Sequence, residues 1–61
     1  MTPQDVVSLY RTGSYGTPDA PIRSSSVKRA FWAGYFGHPA PSKGSINHEA
    51  AVAGRWMKKE S

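Results

Sequence analysis

A chain of 61 residues without cysteine holds one small domain at most, and it excludes disulfides and thiolate metal sites. A chain this short buries only about 60% of the surface its unfolded form exposes, so domains of this size lean on a metal, self-association or a partner. The formal charge of +4 is uneven: residues 1–22 set Arg11 against Asp5 and Asp19, while residues 23–61 set seven basic side chains against Glu49 and Glu60. That balance favours a polyanionic partner: nucleic acid, an acidic protein surface or an anionic membrane.

Met1-Thr2-Pro3-Gln4-Asp5 lacks the basic start of a signal peptide, and no apolar run approaches the roughly 20 residues of a membrane span. The cytoplasm is the expected location, with no membrane partner. Thr2-Pro3-Gln4-Asp5 is also a helix start, with Thr2 as cap, Pro3 at the first helical position and Asp5 placed to reach back. Val6, Leu9 and Tyr10 follow at i, i+3 and i+4, and Gly13 is placed to end the helix. The first predicted helix is residues 3–12, too short to be stable without tertiary contacts.

Residues 13–24 read as a connector, because two Gly and two Pro break any period. Tyr15 and Ile22 are its large apolar residues and the natural pins to a core. Ser24, Ser25 and Ser26 offer three N-caps for a central helix over 26–36, with Gly37 after its end. Beside Arg23 and Lys28-Arg29, the same serines also fit a phosphate contact or a phosphorylation site.

The central helix organises the chain. Four of the seven aromatics lie in Val27–Gly37. Val27, Ala30, Phe31, Gly34 and Tyr35 have the spacing of one buried stripe, which puts Trp32 and Phe36 roughly opposite it, flanked by Lys28 and Arg29. His38–Gly44 is an extended link around Pro39 and Pro41. Ser45 caps a last helix over 46–59 with an apolar side of Ile46, Ala50, Ala53 and Met57, Gly54 alongside. Val52 and Trp56 form a second ridge, Arg55 and Lys59 project on the far side, and Lys58-Lys59 suits the helix end. Ala33-Gly34-Tyr35 and Ala53-Gly54-Arg55-Trp56 each put Ala-Gly beside an aromatic. The fold class is therefore all-α: three short helices in one small domain over 1–61, joined by Gly/Pro-rich loops.

Catalysis is hard to assemble from these residues. Asp5 is better used as a cap, and His48-Glu49 are neighbours whose side chains diverge by about 100° on a helix. His38 and His48 alone make a poor metal site, so solvated or loop-packing histidines are expected. No enzyme, cofactor or metal is expected. A binding surface is easier to build. Trp32, Phe36 and Trp56 would stack or wedge against unpaired bases, while Lys28, Arg29, Arg55, Lys58 and Lys59 neutralise phosphates. The same aromatics would serve a protein interface, which makes the chain a small phage-type inhibitor or adaptor that docks its aromatic and basic helix face on an acidic host-protein surface. A third reading makes the chain a self-associating subunit with Trp32 and Phe36 in a helix–helix interface. A fourth arrangement has helices 1 and 3 cover both sides of the central helix, which buries all its aromatics and leaves the basic residues a solvated rim.

Residues 30–56 resemble the ribosome modulation factor family of small basic bacterial proteins. The matching residues are Ala30, Ala33-Gly34-Tyr35 and Gly37, then Pro39 and Pro41, then Ala53-Gly54-Arg55-Trp56. The resemblance covers under half of the chain. The family's link typically carries Cys-Pro, absent here; Gly-Arg-Trp replaces Gly-Trp-Arg; and the helix at 3–12 has no counterpart. The resemblance implies a linker-joined helical module that contacts ribosomal RNA and silences ribosomes by promoting inactive dimers.

Overall fold

The chain opens on the capping box that Thr2 and Asp5 allow. The Asp5 amide donates to Thr2 Oγ1 at 3.3 Å and the Thr2 amide donates to Asp5 Oδ2 at 3.2 Å. The Thr2 amide, and after it the Thr2 hydroxyl, favour the charged carboxylate and hold its pKa below the usual value. Helix α1 runs Pro3–Arg11, α2 Ser26–Tyr35 and α3 Ile46–Glu60. The computed structural model describes residues 2–60, Pro3 by its backbone alone, so both ends of the domain expected over 1–61 lie outside the described residues. All three helices stand within a residue of where the sequence places them, and the described residues contain no strand beyond an isolated bridge between Gly16 and Pro21.

The helix ends are local chemistry. Ser25, the middle of the three serines, caps α2 by accepting from the Lys28 amide at 3.2 Å, and Ser45 accepts from the His48 amide at 3.1 Å. α1 and α2 stop alike. The Ser14 amide bonds Leu9 O and the His38 amide bonds Ala33 O, both at 2.9 Å, around Gly13 and Gly37 at φ +85° and +90°. These are two Schellman motifs, each needing the left-handed residue that glycine supplies without strain.

α2 and α3 form an antiparallel pair whose backbones meet at glycines. Gly34 lies on the backbone of Ala51, and Gly54 lies on the carbonyl of Phe31; a Cβ at either position would collide with main-chain atoms. The sequence accounts for this in more depth than the Ala-Gly pairs first indicate. Ala30-x-x-Ala33-Gly34-x-Phe36 recurs twenty residues on as Ala50-x-x-Ala53-Gly54-x-Trp56. Gly34 to Ala51 and Gly54 to Phe31 are the same contact after that shift, so the pair is locally two-fold.

α1 packs against α3 and reaches α2 through its last aromatic. The Tyr10 ring lies 5.5 Å from Phe31 and 5.4 Å from Trp32. With Tyr15, Tyr35 and Phe36, these rings make one connected cluster, mostly edge-to-face, that takes in six of the seven aromatics. Val6, Phe31, Trp32, Ala50 and Ala53 are fully buried at its centre. Three expectations are corrected here. Ile22 does not pin the connector by its side chain, which stays exposed. Its amide does so instead, donating to the Tyr15 carbonyl at 3.1 Å. Ile46, assigned to the apolar side of α3, is 47% exposed at the first position of the helix. Ala51, left off that side, is buried because it meets Gly34.

Candidate nucleic-acid interface

The largest correction concerns Trp32. It is fully buried, and its indole Nε1 donates to the Tyr15 carbonyl at 2.6 Å. Tyr15 in turn is 3% exposed, stands edge-on to Phe31, and has its phenol pKa raised by desolvation. The connector therefore closes over the side of α2 that periodicity leaves open, and Trp32 is a core residue that holds it there. It cannot stack on a base. This single indole replaces the expected aromatic pair on α2.

Phe36 remains on the surface, 47% exposed, just past the end of α2. Its ring leans on Trp32 and Tyr35, with centroids 6.0 Å and 5.2 Å away. The guanidinium of Arg23 stands 5.9 Å from its centroid, a cation–π pair that sequence reading missed because Arg23 lies in the connector, thirteen residues away in the chain. Exposed Arg29 precedes Phe36 by seven residues and so shares its strip of helix, with half-buried Lys28 beside it. Both cations sit in the first turn of α2, where the helix dipole opposes them and no acid compensates.

Trp56 is 45% exposed and belongs to a different place. With Gln4, Val7, Ser8, Arg11 and Glu60 it lines a shallow groove between α1 and α3. Arg11 and Glu60 meet across that groove at 3.4 Å, both more than half exposed. Arg55 and Lys59 are exposed on the outer side of α3. Lys58 is exposed too, its ammonium standing 5.3 Å from the centre of the Tyr35 ring.

Trp32, Phe36 and Trp56, expected to stack or wedge against bases, are thus not brought together on one surface. Phe36 and Trp56 each follow a contact glycine by two residues, about 200° around a helix. Each therefore emerges on the side of its helix turned away from the other. Charge separates them too. Residues 20–48 hold Arg23, Lys28, Arg29 and Lys43 and no acid, which is the whole net charge of the chain; its other four basic residues are matched by its four acids.

His48 packs the link, its Nδ1 lying 3.0 Å from the carbonyl of Pro41; a carbonyl only accepts, so the ring proton is on Nδ1. Among the described residues, no group of three His, Cys, Asp or Glu side chains is placed to hold a metal ion, and no helix is long and apolar enough to cross a membrane. No family model, curated protein or solved structure matches the chain.

Proposed function

We propose that this chain is a non-enzymatic basic module that contacts unpaired bases of structured RNA through the outer face of α2. The observation that carries this reading is Phe36. It is a half-exposed ring with Arg23 over it and Arg29 on its strip, inside a stretch of the chain that holds four basic residues and no acid. Bases stack on aromatic rings and guanidinium planes, each stack contributing about 1–3 kcal/mol, while neighbouring cations neutralise phosphates. Phe36 supplies the platform, Arg23 the second plane of the stack, and Arg29 and Lys28 the phosphate contacts. Ribosomal RNA is the first partner to test, on the pattern over residues 30–56, with modulation of ribosome activity as its consequence.

The test is fluorescence anisotropy of a labelled, unstructured RNA oligonucleotide titrated with the protein at several salt concentrations. Affinity is expected to fall steeply with salt, and Phe36→Ala is expected to weaken it about tenfold or more. RNA affinity that ignores both salt and Phe36→Ala contradicts the reading. A tagged pull-down from bacterial lysate, split into nuclease-treated and untreated halves, separates the rival class. A protein retained in both halves marks the same face as a dock for an acidic protein surface.

A further inference from the structure

We infer that the groove between α1 and α3 is a self-association face, and that its occupant is the same groove on a second copy of this chain. The inference does not depend on RNA binding. Trp56 is the large aromatic outside the ring cluster, and it lies half-exposed beside Val7, Ser8 and Gln4. Glu60, four residues on along α3, and Arg11 from α1 line the groove beside it, while Arg55 and Lys59 stand exposed on the outer side of α3.

The groove has instead the make-up that a two-fold interface needs. In such an interface each residue meets a different residue of the other copy, reciprocally, so one cation and one anion beside an apolar centre complement themselves. Arg11 and Glu60 flank Trp56 in this way, 3.4 Å apart and 65% and 57% exposed. Turned about a two-fold axis through Trp56, Arg11 faces Glu60 of the partner subunit and Glu60 faces Arg11 of the partner subunit. The exposed intrachain pair contributes little in water and is released to make two pairs around a desolvated tryptophan. The lining of the groove carries one cation and one anion, whereas residues 20–48 hold four basic residues and no acid, so two copies repel more through the outer face of α2 than here. Because Phe36 and Trp56 point to opposite sides of the helix pair, the assembled dimer keeps both Phe36 faces free.

Sedimentation equilibrium over about 10 µM to about 1 mM tests this. The mean mass is expected to rise from 6.6 kDa towards twice that value. Trp56→Ala is expected to stay monomeric throughout with an unchanged helical circular dichroism signal, and Phe36→Ala to dimerise like the parent. Arg11→Glu leaves two acids on the face and Glu60→Arg leaves two bases. Each is expected to be monomeric alone, and an equimolar mixture to restore the dimer, which an intrachain role for the pair cannot produce. A mass of 6.6 kDa at every concentration overturns the inference. So does a Trp56→Ala variant that dimerises like the parent, loss of the dimer in Phe36→Ala, or a mixture no larger than its components.

Discussion

Phe36 and Trp56 occupy equivalent places in the two halves of the α2–α3 pair, each two residues past the glycine at the contact and each about half exposed. Beside Phe36 stands Arg23, with Arg29 and Lys28 about two turns back on α2 and no acid between residues 20 and 48. Around Trp56, Arg11 and Glu60 pair across a groove, with Arg55 and Lys59 on the outer side of the same helix. One packing device therefore yields two unlike faces, and the difference comes from the charges that other segments bring: the connector supplies Arg23, and α1 supplies Arg11. An exposed aromatic does not define a partner by itself; the sum of charge around it does.

The comparison rests on the glycine contacts, so the largest effect comes from filling them. Gly54→Ala and Gly34→Ala each drive a Cβ into the facing backbone and are expected to destabilise the fold by about 3 kcal/mol or more, read as a lower midpoint in urea denaturation. Loss of less than about 1 kcal/mol from both would mean that the helices are not in backbone contact. Next comes the contrast between neighbouring aromatics. Trp32→Ala is expected to lose about 3–5 kcal/mol, as for a fully buried ring, against about 1 kcal/mol or less for Phe36→Ala. Trp32→Phe, which keeps an aromatic but leaves the Tyr15 carbonyl with the Ile22 amide alone, should fall between the two, with about 0.5–1.5 kcal/mol coming from the lost bond.

Smaller effects sharpen the account at its edges. The depressed Asp5 pKa means that the unfolded chain binds this proton more readily than the folded one. Its contribution is present above the ordinary carboxylate range and is lost as pH falls through about 4 and below. Asp5→Asn should flatten that part of the stability–pH curve in thermal melts. The exposed Arg11–Glu60 pair should matter least to folding: Glu60→Gln is expected to change monomer stability by less than about 1 kcal/mol, less again at high salt.

The parts of this fold that were legible in the sequence are those with local causes. Thr2, Ser25 and Ser45 cap, and Gly13 and Gly37 terminate, through bonds within five residues of chain, so their positions follow from residue type. The buried stripe of α2 follows from its period. Trp32 stayed open between surface and core for a non-local reason: a helical wheel has no knowledge that Tyr10 and the connector cover its flank, and the bond that fixes it spans seventeen residues. Arg23 escaped notice for the same reason. The candidate site was accordingly half-read, with Phe36 and Arg29 on one surface, Trp56 on another, and Lys58 drawn to Tyr35.

The most direct test of the central claim, that the α2 face and the Trp56 groove serve different partners, is an amide and indole NMR titration of labelled protein with a short unstructured RNA at a protein concentration below self-association. Shifts are expected at Arg23, Lys28, Arg29 and Phe36 while the Trp56 indole stays in place. Movement of the Trp56 indole with Phe36 and its arginines unmoved would contradict that claim.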